Sequence, residues 1–214
     1  MNYPNFREEK KLYRKGYKII IGVDEAGRGS LAGPVVACAL YFISPSKAEV
    51  GPRPYWEIIK DSKQLSQKQR ERIYSLLKED SSVEWGIGRV YQRTIDKINI
   101  FEASKLAMRR AVVNLQKKCP NIDFLIIDGN FKINSKISQE PIIKGDEKVF
   151  SVAAASIVAK VVRDRMMVNY CKRYPDYCFD KHKGYPTKLH RNLIKRYGIC
   201  CLHRRTFKVK VEKP

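Results

Sequence analysis

Acidic residues are scarce in this sequence, which has 22 Asp and Glu against 43 Lys and Arg in 214 residues. The formal net charge is +21, and residues 151–214 hold 16 basic residues against four acidic ones. Such an imbalance argues against a cationic partner and favours a polyanion, most simply a nucleic acid. A basic surface that binds another protein remains the alternative.

Long apolar runs are also missing. No stretch approaches the roughly 18 apolar residues that a membrane-spanning helix needs, and residues 1–18 lack the apolar segment of a secretory signal. We therefore expect a cytoplasmic protein with no membrane association. With 43% hydrophobic residues, the chain can bury a core. Its length predicts one domain over residues 1–214, with a basic helical part from about residue 165 to 214.

The six cysteines lack the regular spacing of a disulfide framework, so we expect reduced thiols. A structural zinc site is a weaker hypothesis. Cys178 and His182 have a suitable spacing but no clean second pair, and the adjacent Cys200 and Cys201 cannot easily bind one ion.

Strand and helix signals alternate along most of the chain. The short interval between the first two strands predicts an antiparallel pair, and the continuously apolar strand near residue 125 predicts burial on both faces. Residues 44–55 are predicted to form a loop. Together these elements predict an α/β fold, with a mixed central sheet flanked by helices. The expected strands are Ile19–Val23, Pro34–Phe42, Val83–Tyr91 and Asp123–Asp128. One helix is expected to begin at Ser66, and three more are expected over Ile98–Cys119, Phe150–Tyr174 and Thr187–Tyr197.

The most informative segment follows the first predicted strand. Asp24 and Glu25 emerge where that apolar strand ends, and Gly27-Arg28-Gly29 comes directly after them. Carboxylate oxygens are the ligands that Mg²⁺ and Mn²⁺ prefer. A glycine-bracketed arginine can bring backbone N–H groups and a guanidinium close to a phosphate. Acids beside such a turn predict phosphodiester chemistry.

Two further acids have comparable positions. Asp128 ends the apolar strand before Gly129, and Asp146 lies between a short apolar run and an alanine-rich helix. Each alone is more typical of a turn residue. Together with Asp24 and Glu25, they form a set of carboxylates that can surround two divalent ions.

At these positions the sequence resembles the ribonuclease HII family. The resemblance runs from about residue 18 to 207, in the family's order, and implies a ribonuclease H-like fold. It also implies endonucleolytic cleavage of RNA in RNA–DNA hybrids and at single ribonucleotides embedded in duplex DNA. The matching motifs are Gly22–Gly29 with Leu31–Pro34, Asp61–Leu65, Ile127–Gly129, Lys144–Asp146, Ala153–Val161 with Arg163-Asp164, His182–Tyr185, and His203-Arg204.

Carried over residue by residue, the resemblance implies specific roles. The metal-binding and catalytic acids would be Asp24, Glu25, Asp128 and Asp146. The substrate-binding residues would be Gly27, Arg28, Gly29, Lys63 and Tyr185, with the glycine–arginine–glycine turn at the ribose 2′-hydroxyl and Tyr185 at the RNA–DNA junction. Asp164 also lies in a family motif, but its position between two arginines favours an ion pair.

The resemblance further implies Mn²⁺ or Mg²⁺ as cofactor, two-metal-ion catalysis, and products with 5′-phosphate and 3′-hydroxyl ends. We expect a monomer. The short segment before the first strand favours ribonuclease HII over the sister class HIII, and the C-terminus has no recognisable sliding-clamp peptide. Two alternatives remain open: a non-catalytic nucleic-acid binder, and another nuclease of the same fold, such as one that resolves DNA junctions.

Overall fold

The protein is described from a computed structural model, which covers residues 3–43 and 55–208. Of the loop predicted over residues 44–55, only Tyr55 lies within the described residues. The C-terminal residues 209–214, on which the expectation about a clamp peptide partly rests, also lie outside them.

The described residues contain helices and strands in close alternation. The helices are α1 (Arg7–Arg14), α2 (Gln67–Glu79), α3 (Gln92–Gln116), α4 (Gly145–Lys148), α5 (Phe150–Arg173), α6 (Phe179–His182) and α7 (Lys188–Tyr197). The strands are β1 (Ile20–Ala26), β2 (Val35–Phe42), β3 (Val83–Val90), β4 (Phe124–Asp128) and β5 (Ser138–Ile142). A 3₁₀ turn, Pro175–Tyr177, connects α5 to α6.

The five strands form one mixed sheet in the order β3-β2-β1-β4-β5. Strand β2 runs antiparallel to β1 and β3, whereas β4 runs parallel to β1 and β5. The predicted fold class and the predicted antiparallel pair are therefore confirmed. Because β1 and β4 are parallel neighbours, their carboxyl ends meet at the same edge of the sheet.

Helices cover both faces of the sheet. Ile21 and Val23 pack toward α3 on one face, whereas Ala26 packs toward α5 on the other. Gly22 allows the close approach of α5, because a Cβ there would lie 2.3 Å from the backbone of Ser151. The first turns of α5 therefore lie directly against β1, two residues before Asp24.

Local sequence signals located most elements correctly. Ser66 and Gln69 form the predicted capping box of α2, and the Thr187 side chain caps α7, which ends at Gly198. Helix α3 begins earlier than predicted, at Gln92, and is interrupted by Asn99, whose φ of 65° is not helical.

Four of these helices and strands were not predicted: α1, the single-turn helices α4 and α6, and β5. Helix α1 is highly charged and buries only Glu9 and Leu12, so its helical pattern is weak in the sequence. Strand β5 is polar and contains Pro141, which an edge strand tolerates because one side of it makes no ladder hydrogen bonds.

Candidate active site

Two of the candidate acids are brought together by the parallel pairing of β1 and β4. Val23 pairs with Ile127, so the next residues, Asp24 and Asp128, lie side by side near the carboxyl ends of β1 and β4; β1 continues to Ala26, three residues beyond the predicted strand end at Val23. Asp24 is buried, and its Oδ1 accepts the backbone N–H of Glu25 at 2.6 Å. The sheet topology therefore places these carboxylates at one edge, as the strand-end pattern predicted.

Asp146 reaches the same region from α4, a single helical turn after β5. The N–H of the preceding residue, Gly145, donates to Asp128 Oδ1 at 2.7 Å, which ties α4 to the end of β4. Lys63 Nζ lies 2.9 Å from Asp146 Oδ2 and 3.8 Å from Asp61 Oδ1. The Lys63 side chain is 78% exposed, so this ammonium lies where an incoming phosphate can reach it.

Burial and mutual repulsion make this cluster costly to ionise. Desolvation, followed by the charges of Glu25, Asp128 and Asp146, holds the pKa of Asp24 well above its usual range. Desolvation also raises the pKa of Glu25 to about 7, although the charge of Arg28 opposes it. Burial and the neighbouring Asp146 raise the pKa of Asp128. Full ionisation of the cluster therefore needs more positive charge than the protein itself supplies.

The donor set fits a divalent cation. Glu25 Oε2 is buried without a hydrogen-bond partner among the described residues, and four hard oxygen donors face one region. Within residues 3–43 and 55–208, no three potential ligands already converge on a single point. The carboxylates instead contact protein groups: Arg28 for Glu25, Lys63 for Asp146, and the Gly145 N–H for Asp128.

One cavity of about 310 Å³ contains most of the candidate residues. Eight of the nine line it, and Asp146 joins them through its ion pair with Lys63. The eight are Asp24, Glu25, Gly27, Arg28, Gly29, Lys63, Asp128 and Tyr185. The structure thus brings all nine into one neighbourhood.

Three polar residues of this cavity were not assigned a role from the sequence: Ser62, Ser156 and Lys160. Ser156 hydrogen-bonds Asp24, and its Oγ lies 2.9 Å from Ser62 Oγ, which forms a short hydroxyl chain to the acid. Lys160 pairs with Asp164 at 2.8 Å, in agreement with the ion pair expected for Asp164. All three lie within motifs that carry the family resemblance, which was the available signal.

The two glycines of the turn serve different purposes. Gly27 has a φ of +97°, and a Cβ there would lie 2.0 Å from Nε of the buried Arg163. Its glycine is therefore required by backbone conformation and internal packing. At Gly29 a Cβ would meet no described atom within 4 Å, so this position is open toward the cavity. Arg28 lies between them, with Nη1 3.3 Å from Glu25 Oε1.

Two buried arginines, Arg204 and Arg163, contact the Gly27–Gly29 turn on the protein side. Arg204 donates to the carbonyl oxygens of Gly27 and Arg28, both at 2.7 Å, and to that of Gly33. Arg163 donates to the backbone carbonyls of Ala32, Pro34 and Lys183, and the described hydrogen bonds of both arginine side chains all go to backbone carbonyls. Burial lowers the pKa of Arg204 to about 9. These carbonyl contacts fix the turn relative to the C-terminal part of the chain.

Tyr185 lies in the cavity wall and is half-buried, not part of the core. Its ring has Lys160 Nζ at 4.9 Å and Arg163 Cζ at 5.2 Å from the centroid. Its backbone N–H donates to the His182 carbonyl at 2.9 Å. The phenol is therefore presented on a rigid turn beside two cations.

The only three histidines of the sequence support this turn. Nδ1 of His182 accepts the Gly184 N–H, and Nδ1 of His203 accepts the Cys200 N–H. His203 Nε2 then donates to His190 Nε2 at 3.1 Å, and His190 Nδ1 donates to the Tyr185 carbonyl at 3.0 Å. Each ring thus has one donor and one acceptor, which requires all three to be neutral.

We expect the contribution of these histidines to stability to fall as the pH is lowered from about 6.5, the ordinary histidine pKa. Burial lowers the pKa of His182, and lowers those of His190 and His203 to about 4. Between these values the unfolded chain binds protons that the folded protein does not, so unfolding becomes progressively easier. Thermal unfolding from pH 7 to 4 measures the net effect, in which protonation of Asp24 and Glu25 in the folded protein acts in the opposite direction. Histidine NMR signals that titrate near pH 6.5 in the folded protein would contradict this explanation.

Comparison with known proteins agrees with the geometry. The family model for ribonuclease HII matches residues 21–210. The ribonuclease HII of Desulfotalea psychrophila is 47% identical over 205 residues, which cover 95% of this chain and 87% of that protein.

Solved structures share the fold. Ribonuclease HII of Archaeoglobus fulgidus, in its complex with PCNA, aligns with a TM-score of 0.69 and 23% identity over 91% of this chain and 98% of that one. Bst-RNase HIII in complex with Mn²⁺ aligns with a TM-score of 0.61 and 22% identity, over 84% of this chain and 63% of that one. No helix within the described residues is long and apolar enough to cross a membrane. The chain belongs to the ribonuclease HII family and is an endoribonuclease that acts on RNA–DNA hybrids.

Proposed function

We propose that this enzyme also cleaves at single ribonucleotides embedded in duplex DNA, and that it does so by two-metal-ion catalysis. One observation carries the proposal: three of the acids, the Gly27–Gly29 turn and Tyr185 line a single cavity, and the fourth acid, Asp146, pairs with Lys63 in its wall. The acids can hold metal, the turn can recognise a ribose, and Tyr185 can recognise an RNA–DNA junction. All three could therefore contact the same two adjacent nucleotides. Cleavage would leave 5′-phosphate and 3′-hydroxyl ends.

Asp24, Glu25, Asp128 and Asp146 are the proposed catalytic and metal-binding residues. Members of this family depend on divalent metals, and we propose Mn²⁺ or Mg²⁺ as the ion. Bound divalent ions would supply an activated water and neutralise charge that develops on the phosphate. The protein's own part is to hold four carboxylates in a buried cluster, where desolvation and mutual repulsion favour neutralisation, by protons in the free protein and by bound cations when metal is present.

Recognition of the ribonucleotide is assigned to the glycine–arginine–glycine turn. Gly29 is open toward the cavity, so a sugar can approach its backbone without meeting a side chain. The 2′-hydroxyl is the group that distinguishes RNA from DNA there. Arg28 and the exposed Lys63 are the cations placed to contact the neighbouring phosphates. The buried Arg204 keeps the turn rigid while these contacts form.

The basic helical part of the chain, about residues 165–214, is the proposed surface for the duplex. Lys188 and Lys195 are exposed on α7, and Arg191 is partly exposed one turn from each of them. Helix α7 follows directly after Tyr185 and Pro186, so its N-terminal end lies beside the cavity wall. A duplex seated on the cavity therefore has cations along its flank.

Reversing the charge of Lys188, Arg191 and Lys195 together should weaken binding to all duplexes by a similar factor. These residues would contact phosphates, which carry no sequence information. The slope of log affinity against log salt should decrease by about one for each lost phosphate contact. Fluorescence anisotropy with labelled DNA and hybrid duplexes, measured over a range of salt concentrations, checks both statements.

A single variant with a matched control sharpens this test. Lys188→Glu is compared with Lys117→Glu, an exposed lysine at the far end of α3, away from the carboxyl edge of the sheet. Only the first should reduce affinity. Equal losses would mean that net charge alone, and not the α7 surface, determines binding.

The test of the proposed function is cleavage of a DNA duplex with one ribonucleotide, with and without Mg²⁺ or Mn²⁺. We expect a single metal-dependent cut at the ribonucleotide and none in an all-DNA duplex. Cleavage of long hybrids but not of this substrate would overturn the single-ribonucleotide proposal. Tight binding without metal-dependent cleavage would instead favour the non-catalytic binder considered above.

We also propose that the enzyme acts as a monomer, because one chain supplies every residue assigned above. Size-exclusion chromatography with light scattering, in the presence of a hybrid duplex, checks this stoichiometry. The PCNA complex noted above is a property of the Archaeoglobus protein.

A further inference from the structure

An N-terminal arm, defined here as residues 5–14, packs against the chain beside the candidate acid Asp146. Helix α4, which carries Asp146, is a single turn, and its preceding residue, Lys144, has a left-handed φ of 58°. Such a short helix has little stability of its own. Its position must be set by what holds its two ends.

The N-terminal end of α4 is held by a hydrogen bond to the candidate acid Asp128. The Gly145 N–H donates to Asp128 Oδ1, and the Gly145 carbonyl accepts the Val149 N–H at 2.8 Å. These contacts join α4 to β4 and to the residue that begins α5. They leave the position of Lys148 and Val149 to be fixed from another direction.

The arm fixes that second end. The Asn5 N–H donates to the Lys148 carbonyl at 3.0 Å, and the Phe150 N–H donates to the Asn5 carbonyl at 3.1 Å. The rings of Phe6 and Phe150 lie 4.4 Å apart, and Leu12 belongs to one apolar cluster with Val149 and Val152. Every residue from 148 to 150 therefore contacts the arm.

Glu9 is the unusual residue of this arm. It is 2% exposed, and its Oε1 accepts both the N–H and the hydroxyl of Ser151, at 3.0 and 2.8 Å. The N–H groups at the start of a helix lack partners within the helix, and a carboxylate there also interacts favourably with the helix dipole. Its burial is costly, since desolvation raises the pKa of Glu9. A solvent-exposed glutamate would carry no such cost.

We propose that Glu9 is a positioning residue for Asp146, acting through Ser151 and the α4–α5 junction. By accepting both hydrogen bonds of Ser151, it fixes the first turn of α5, which begins four residues after Asp146, and so sets the distance from Asp146 to Asp128. This inference rests on the proposed assignment of Asp146 as a metal-binding acid. It extends the catalytic machinery to a segment that contacts neither metal nor substrate.

The test compares Glu9→Ala with Glu9→Gln. Alanine removes the acceptor for both Ser151 groups, whereas the glutamine side-chain oxygen can still accept them. We expect Glu9→Ala to weaken Mn²⁺ binding to the substrate-free protein about tenfold or more, as for other residues that orient metal ligands. Its kcat on an RNA–DNA hybrid should fall at limiting Mn²⁺ and recover at high Mn²⁺, with KM for the hybrid nearly unchanged. Glu9→Gln should keep most of the Mn²⁺ affinity.

Electron paramagnetic resonance of free Mn²⁺ measures the affinity without requiring turnover. Glu8→Ala is the matched control, because Glu8 lies on the same helix and its ion pair among the described residues is with Lys11, at 3.4 Å near the surface. It should behave as wild type. Should Glu9→Ala not fold, Ser151→Ala, which loses one of the two hydrogen bonds, takes its place with the same criteria.

Wild-type Mn²⁺ affinity and kcat in Glu9→Ala, together with a lower melting temperature, would overturn the inference and leave Glu9 a purely structural residue. Asp146→Asn, measured in parallel, separates this failure from a failure of the site assignment. If Asp146→Asn also binds Mn²⁺ and cleaves normally, the four-acid site is wrong. If it loses both while Glu9→Ala keeps them, only the positioning role is wrong.

Discussion

Asp24→Asn should reduce cleavage of an RNA–DNA hybrid by three orders of magnitude or more, while the protein stays folded. A buried charged ligand near the carboxyl end of β1 would be replaced by a neutral amide, with a loss of several kcal/mol in transition-state stabilisation at about 1.4 kcal/mol per tenfold. The amide oxygen can still accept the Glu25 N–H that Asp24 Oδ1 accepts at 2.6 Å. Single-turnover cleavage at saturating Mn²⁺ measures the loss.

The same substitution should leave the metal-free protein at least as stable as wild type. Asp24 is held against the charges of Glu25, Asp128 and Asp146, and an amide removes that repulsion. A higher or unchanged melting temperature without metal, with a smaller increase on addition of Mn²⁺, is the expected pattern. Glu84→Gln, an exposed carboxylate on β3, serves as the control. Near-normal turnover of Asp24→Asn at saturating metal would show that the four acids are wrongly assigned.

Tyr185→Ala should impair cleavage at a single embedded ribonucleotide more than cleavage within a continuous hybrid. Every ribonucleotide in a hybrid presents a 2′-hydroxyl, so the turn at Gly27–Gly29 can act on both substrates. Only the embedded ribonucleotide is followed by deoxyribose, and the Tyr185 ring is the group placed to stack there. Loss of stacking is worth about 1–3 kcal/mol, or up to about a hundredfold in rate.

The decisive quantity is the ratio of kcat/KM on the two substrates, compared between wild type and Tyr185→Ala. Tyr185→Phe is the matched control, because it keeps the ring between Lys160 and Arg163 and removes only the hydroxyl. It should keep the wild-type ratio. If alanine lowers both activities equally, Tyr185 supports the cavity wall and does not contribute to junction specificity.

The predictions that depended on local chemistry agree with the structure. The capping box at Ser66, the Thr187 cap and the apolar strand before Asp128 follow from short-range rules of hydrogen bonding and burial. Parallel pairing of β1 with β4 then brings two strand-end acids together without further specification. Because the ligand-type residues follow directly after predicted strands, the candidate acids could be named from the sequence.

The sequence determined by itself the α/β class, the basic surface and the identity of the nine candidate residues. Only the tertiary structure decided how they are held. Arginines are usually found at the surface, but Arg204 and Arg163 are buried. Arg204 donates to the Gly27 carbonyl and Arg163 to the Pro34 carbonyl, and in each pair the two residues are more than 100 positions apart in the sequence. Glu9 is buried against Ser151, 142 positions along the chain. No local pattern encodes such contacts, because a buried charge is favourable only once distant backbone groups have been brought together to satisfy it.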